Sequence, residues 1–300
     1  MEDLVSIRDV DRKYVEGIFS RADAMASAIG KGREPAKGKV VATLFFEPST
    51  RTRLSFQTAA LRLGARVINF EAGAATSMAK GETLSDTIRI VDGYSDVLVM
   101  RHALEGSVRF AAEIAEHPVV NAGDGGNQHP TQTILDLYTI RRLKGKIAGL
   151  SVHLVGDLKH ARVMRSLLYG LAMFGADVTL VAPAGLEMDP STVREVEEKF
   201  GVRPRASNAL DVRDADVLYA CRIQKERFTD PYEAEKLQKE FRITEAALRG
   251  CKPDLVILHP LPKIDEMDPA IDRTPYAKYF EQARLGVPVR MAILAGLLGV

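Results

Sequence analysis

The sequence predicts an α/β protein of two domains, each built on a parallel β-sheet flanked by helices. Three observations carry this. Short apolar runs alternate with stretches of helical spacing along the chain, as strand–helix repeats require. The alternation restarts near Gly145, after the turn Lys144-Gly145-Lys146, so two such domains are expected in 300 residues. Six of the apolar runs, ending at Phe46, Met100, Val120, Val155, Ala220 and Leu258, lead into polar clusters. Ligands of open α/β sheets bind beyond the carboxyl ends of strands.

Taken in order, Val40 to Phe46 is a short apolar strand, and Leu54 to Leu63 has helical spacing with Leu54, Thr58 and Leu61 on one side. Strands follow at Arg66 to Phe70 and Val97 to Met100. Val119-Val120 precede a glycine-rich loop, NAGDGGNQHP, and Thr131 to Leu143 reads as a helix. The second half repeats the pattern, with strands at Leu150 to Val155, Asp177 to Ala182, Asp216 to Ala220 and Asp254 to Leu258, and a helix at His160 to Phe174. The closing MAILAGLLGV is too short to span a bilayer, which takes about 20 apolar residues, and reads as a packed terminal helix.

Composition narrows the function classes. Lys and Arg number 41 against 40 Asp and Glu, without the basic excess of a nucleic-acid binder. Two cysteines, Cys221 and Cys251, make no disulfide framework and read as small buried hydrophobes. With no signal peptide at the N-terminus, a reducing, cytoplasmic compartment is expected, with neither membrane nor nucleic acid as partner. The chain lacks GxxxxGK[ST], GxGxxG after the first strand of either half, HExxH, CxxC and GxSxG. Nucleotide-driven chemistry, a dinucleotide cofactor, a metal site and a serine nucleophile elbow are therefore not indicated.

One stretch, Thr43 to Phe56 or TLFFEPSTRTRLSF, sets hydroxyl and guanidinium groups between two apolar segments. If a helix begins near Arg51, its first-turn N–H groups lack intrahelical acceptors, and its dipole adds positive charge there. Ser or Thr just before it can cap. Hydroxyls, amides and a guanidinium then converge on one point suited to a phosphate.

FxEPSTRTR resembles the carbamoyl-phosphate motif of the aspartate and ornithine carbamoyltransferases. KGETLSDT (Lys80 to Thr87), VMRH (Val99 to His102), NAGDGGNQHPTQ (Asn121 to Gln132), RIQKER (Arg222 to Arg227) and HPLP (His259 to Pro262) follow in the family's order. The resemblance covers essentially the whole chain. It implies the carbamoyltransferase fold, with a carbamoyl-phosphate domain over 1–134, an amino-acid domain over 135–287, and a C-terminal helix from about 288 to 300 packed back on the first. It implies attack of an amine on carbamoyl phosphate, with no cofactor, metal or covalent intermediate. Ser49, Thr50, Arg51 and Thr52 would hold the phosphate. Arg101 and His129, with Thr52, would polarise the carbonyl oxygen, and Gln132 would bind the carbamoyl nitrogen. Ser77 and Lys80 lie in a loop that, in the family, reaches the neighbouring subunit's site. That implies a homotrimer with shared sites, with Thr76 as an alternative to Ser77.

The acceptor is read from the second half. Ornithine enzymes carry HCLP, whereas this chain has Pro260 where that cysteine would stand. Arg162, in HARVMRS, and Arg222 with Gln224 match the family's residues for the two carboxylates of aspartate. Two guanidiniums suit a dicarboxylate, since each can fork to one carboxylate, and Lys80 would add a third positive group. Arg165 is expected to be structural. Pro260 and Leu261 would offer backbone carbonyls to the substrate amine. L-Aspartate is thus the expected acceptor, with acetylated or succinylated ornithine as rivals and a non-catalytic anion-binding paralogue as the rival of another class. Glu105 to Arg109, EGSVR, resembles the segment by which some catalytic chains dock a zinc-containing regulatory chain, and reads equally as a polar helix start.

Overall fold

The structure is a computed structural model and describes residues 3–71, 81–224, 228 and 231–300. The chain forms two compact units, Met1–Tyr138 with Leu285–Val300, and Thr139–Arg284.

The first unit contains, in order, α1 (Arg12–Ala28), β1 (Val40–Phe45), α2 (Thr50–Arg62), β2 (Arg66–Glu71), α3 (Leu84–Asp92), β3 (Val97–His102), α4 (Ser107–Ile114), β4 (Val119–Asp124) and the start of α5 (Pro130–Lys144). Its sheet runs β2-β1-β3-β4, all parallel. The inner strands are apolar runs because helices cover both faces of such a sheet. α1 shows the amphipathic rule plainly: Val15, Ile18, Phe19 and Ala22 face inward, and Asp11 caps its start by accepting from Tyr14 N–H at 2.7 Å.

α2 corrects the sequence reading. Leu54 and Leu61 are exposed, and the buried face is Thr52, Phe56, Ala59 and Ala60. The alanines let the helix approach the sheet closely, so the side that looked apolar points outward. β4 is longer than its Val119-Val120 core because Asn121 and Asp124 are buried yet satisfied. Asn121 Nδ2 donates to Val5 O at 2.8 Å and to Asp124 Oδ1 at 3.0 Å, and its Oδ1 accepts from Gly123 N at 2.7 Å.

The second unit takes the end of α5, then β5 (Ser151–Val155), α6 (Arg162–Met173), β6 (Asp177–Val181), α7 (Pro190–Phe200), β7 (Arg205–Ser207), β8 (Val217–Ala220), α8 (Pro231–Glu240), β9 (Val256–Leu258) and the start of α9 (Tyr279–Leu298). Its parallel sheet runs β7-β6-β5-β8-β9. α9 starts at Tyr279 rather than about 288: Pro288 lies inside the helix instead of opening it. A proline there removes one backbone donor. The flanking residues Val289 and Met291 to Ala295 are buried, and their packing offsets that loss.

Cys221 is buried, and burial pushes its thiol far up, so it behaves as a small hydrophobe. Cys251 is only half-buried, packed at the edge of the second unit's core. Among the described residues no helix is long and apolar enough to cross a membrane. No group of three or more His, Cys, Asp or Glu among them could hold a metal ion.

At the end of β5 the backbone passes so close to β8's continuation that a Cβ on Gly156, at φ +120°, would meet the Cys221 carbonyl at 2.3 Å. Gly156→Ala is expected to cost about 2–4 kcal/mol, from backbone strain and overpacking together. Gly149→Ala, at φ +68° but with open space around it, should cost about 1 kcal/mol. Urea unfolding of the two variants checks this, and equal losses would show that the Cys221 contact does not govern the turn.

Candidate active site

In the first unit the sequence-marked residues gather at one edge of the sheet. Phe45 pairs in register with Arg101, and Phe46 N–H donates to Arg101 O at 2.9 Å, so the turn after β1 sits beside the end of β3. β4 is next, with Met100 opposite Asn121 and His102 opposite Asp124. Its loop leads into α5, where His129 precedes the helix and Gln132 lies in its first turn. The β1/β3 boundary is where the strand order reverses, the usual crevice of an open α/β sheet.

α2 begins one residue earlier than expected, at Thr50, with Ser49 as N-cap in extended conformation and no side-chain cap hydrogen bond. α1, α3 and α7 are capped by Asp11, Thr83 and Asp189. Ser49 therefore keeps its hydroxyl and the first-turn amides available to an anion. Thr52 is buried, Ser49 is half-buried, and Thr50 and Arg51 are exposed. Partial burial pushes the Arg51 guanidinium below its ordinary value.

Arg101 is held from two sides. Its Nη2 lies 2.8 Å from Glu47 Oε1, and its Nη1 donates to Ala122 O at 3.4 Å. Asp124 shapes the glycine-rich loop, accepting from Gly106 N, Asn127 Nδ2 and Gln128 N at 3.1, 3.2 and 3.0 Å. His129 is buried with Nδ1 3.5 Å from Thr131 Oγ1. Gln132 is also buried, and its Nε2 donates to Asp136 Oδ1 at 2.8 Å. Glu47, Asn121, Asp124 and Asp136 are the residues that sequence reasoning missed. Glu47 stood inside the motif as its one acid, and Asp136 stands four residues after Gln132, a helical contact spacing.

The second unit repeats the arrangement. Arg162 opens α6 after β5, and the N-cap position, Ala161, has no side-chain cap. Arg222 and Gln224 follow β8, and Pro260 and Leu261 follow β9. β5, β8 and β9 are neighbours, with Val155 opposite Ala220 and Tyr219 opposite Leu258, so all five residues lie at the carboxyl edge of one sheet. Arg162, Arg222, Gln224, Pro260 and Leu261 are half-buried. Arg165 donates to Lys159 O at 2.6 Å, a structural role. Ser77, Thr76 and Lys80 lie outside the described residues.

Leu261 adopts φ +58°, the left-handed region that a bulky side chain rarely enters. Its N–H donates to His259 Nδ1 at 2.8 Å, so the proton of that imidazole sits on Nε2, 2.9 Å from Glu266 Oε1. Glu266 accepts from Ile264 N–H at 3.1 Å as well. This buried pair pins the strained turn whose carbonyls were expected to meet the substrate amine.

Residues 2–142 match the family model described as aspartate/ornithine carbamoyltransferase, carbamoyl-P binding domain, and residues 148–297 match the Asp/Orn binding domain of the same description. The chain belongs to the aspartate/ornithine carbamoyltransferase family. Similar curated members of this carbamoyltransferase family are the aspartate carbamoyltransferase catalytic subunits of Thermococcus onnurineus, 50% identical, and Methanopyrus kandleri, 49% identical. Each alignment covers 99% of this chain and 97% of the relative. Among solved structures, the catalytic subunit of M. jannaschii aspartate transcarbamoylase in an orthorhombic crystal form matches with a TM-score of 0.92 at 44% identity. That match covers 100% of this chain and 98% of the other. Trypanosoma cruzi aspartate transcarbamoylase in complex with N-(phosphonacetyl)-L-aspartic acid matches with a TM-score of 0.92 at 38% identity, over 98% and 94%. Both carbamoyltransferase matches carry the two-sheet architecture of this chain.

Burial acts to raise the Glu266 carboxyl, but the hydrogen bonds from His259 and Ile264 outweigh it and hold the group below its ordinary value. A carboxyl lowered by folding adds stability that is complete above its unfolded value, about 4.3, and is lost as pH falls through the folded value. Glu266→Gln should therefore cost about 1–3 kcal/mol at neutral pH. The gap to the parent in urea unfolding should narrow below about pH 4. A gap that stays constant down to pH 3 would remove the pair from the acid response.

Proposed function

We propose that the chain transfers the carbamoyl group of carbamoyl phosphate to the amine of L-aspartate, giving N-carbamoyl-L-aspartate and phosphate in de novo pyrimidine synthesis. The observation that carries this reading is the uncapped start of α2, with its unused hydroxyl and amides beside the anchored Arg101.

Each residue then has a chemical task. Ser49, Thr50, Arg51 and Thr52 hold the phosphate with hydroxyls, amides and a guanidinium. Thr52, Arg101 and His129 face the carbonyl oxygen, on which negative charge grows as the neutral amine of aspartate attacks the carbonyl carbon. Gln132 takes the carbamoyl nitrogen. The C–O bond to phosphate breaks as the carbonyl re-forms, and the departing phosphate accepts the proton shed by the amine. Arg162 and Arg222, with Gln224, bind the two carboxylates of aspartate. Pro260 and Leu261 accept from its amine through their carbonyls. Ser77 and Lys80 reach in from a neighbouring subunit, so the working form is a homotrimer in a reducing cytoplasm. Exposed faces on β2 and exposed Leu54, Leu61 and Ile68 support assembly, since parallel strands are ordinarily covered.

A zinc-containing regulatory chain would dock at Glu105 to Arg109. The exposed Leu104 and Phe110 flanking that segment favour it. Glu105 also accepts from Gly126 N–H at 3.1 Å, and Arg109 pairs with Asp9 at 2.5 Å, so the segment has a structural use of its own.

Phosphate release from carbamoyl phosphate should require L-aspartate and should not occur with L-ornithine or N-acetyl-L-ornithine. Release only with an ornithine derivative would overturn the assignment of Arg162 and Arg222. Arg101→Ala should lower turnover roughly 10²–10³-fold, the usual loss for one oxyanion donor. For the shared site, inactive Lys80→Ala chains mixed with inactive Arg51→Ala chains should regain activity. No recovery after demonstrated subunit exchange would sink that part of the reading.

A further inference from the structure

We infer that Asp136, buried beside Gln132 on α5, is a positioning residue that fixes which end of the Gln132 amide faces the ligand. It thereby makes the site select a carbamoyl nitrogen over an isosteric methyl. The inference rests on the reading of Gln132 as the contact to that nitrogen.

A glutamine amide is nearly symmetric in shape but opposite in chemistry at its two ends, oxygen accepting and nitrogen donating. A carbamoyl NH2 only donates. It is recognised by the oxygen and refused by the nitrogen, so a glutamine able to turn over would offer the wrong end part of the time. Asp136 removes that freedom. It lies four residues after Gln132 on α5, on the same helix face, and its Oδ1 accepts from Gln132 Nε2 at 2.8 Å. An ionised carboxylate has no proton to donate, so only the nitrogen end can face it. The oxygen end is turned away from Asp136.

Asp136 is fully buried, at 0% exposure, and a lone carboxylate there would take up a proton rather than stay charged. A protonated carboxyl could donate to the amide oxygen and undo the choice. The Arg290 guanidinium on α9 is the positive charge that opposes this. It is itself only 3% exposed, its guanidinium carbon lies 5.0 Å from the centre of the Phe56 ring, and Asp136 is the charge that opposes its desolvation. Burial pushes the guanidinium down to about 10, so it stays cationic at neutral pH. Gly286 makes room for it: a Cβ there would meet Arg290 Nη1 at 2.3 Å. Phe56 in turn lies on α2, four residues after Thr52. Arg290 thus ties α9 to α2 through the Phe56 ring.

The test uses two stable ligands that differ only at the group in question. Phosphonoacetamide presents an NH2 beside the carbonyl, and acetonylphosphonate presents a CH3. Their affinities for the full chain are measured by calorimetry. The parent protein should prefer the amide about tenfold or more, the usual worth of a satisfied against an unsatisfied polar group. In Asp136→Asn the partner can donate as well as accept, so Gln132 can turn over. The preference should fall toward one, with acetonylphosphonate affinity unchanged within about twofold. A parallel loss for both ligands would mean a merely structural role and would overturn the inference, as would an unchanged preference. A parent protein without any preference would instead overturn the reading of Gln132, and the inference with it.

Asp136→Asn leaves Arg290 as a buried charge without its partner and can fail to fold. The double variant Asp136→Asn/Arg290→Met removes both charges. It should recover the thermal stability that the single variant loses and still lack the amide preference. Recovery of the preference together with the stability would overturn the inference.

Discussion

A parallel strand that hands its chain to a helix leaves that helix's first amide N–H groups pointing beyond the sheet with no acceptor of their own. Everything at the candidate site depends on how each such helix start is treated. α1, α3 and α7 close theirs with Asp11, Thr83 and Asp189. α2, α4 and α6 do not, although Ser49 stands at the N-cap of α2 and is able to cap it. Two of these open ends carry Arg51 and Arg162, at the carboxyl edges of two parallel sheets. Donors left unused in the protein alone are the donors an anionic substrate can take up.

Groups of donors must themselves be held, and acids do so in each unit. In the first, Glu47 anchors Arg101, Asp124 ties the glycine-rich loop and Asp136 accepts from Gln132; in the second, Glu266 lies against His259. Each acid stands behind a donor or a turn, where it sets direction without contributing to the front. The arrangement explains how a chain of nearly balanced charge can present a basic site. It also explains why exchanging one of these acids for its amide alters geometry as well as charge, since an amide can donate where a carboxylate cannot.

The fold class and the turn after β1 were legible because they rest on local patterns: apolar runs, their polar ends and one long motif. What was lost lies where tertiary packing overrides those patterns. The end of β4 is buried but polar, and nothing periodic marks a strand whose Asn121 and Asp124 are satisfied by its own loop. The buried face of α2 is built on Ala59 and Ala60, which lost to Leu54 and Leu61 in any reading by apolar weight. The start of α9 was hidden by Pro288, a signal that ordinarily ends or opens a helix. The candidate donors were named from the helix start after β1 and from the family resemblance, whereas the acids beside them are found only through contacts such as that between Glu47 and Arg101, distant in sequence.

Leu261 brings these strands together. A leucine at φ +58° is held against its own preference, at a cost of about 1–3 kcal/mol. Such a conformation persists only where its surroundings over-determine it. Here they do: the Leu261 N–H donates to His259 Nδ1, the ring's Nε2 lies 2.9 Å from Glu266 Oε1, and the His259 N–H donates to Gln282 Oε1 at 2.9 Å. The strained turn at Leu261 and the uncapped start of α2 thus stand at the same place in their own units, the carboxyl edge of a parallel sheet.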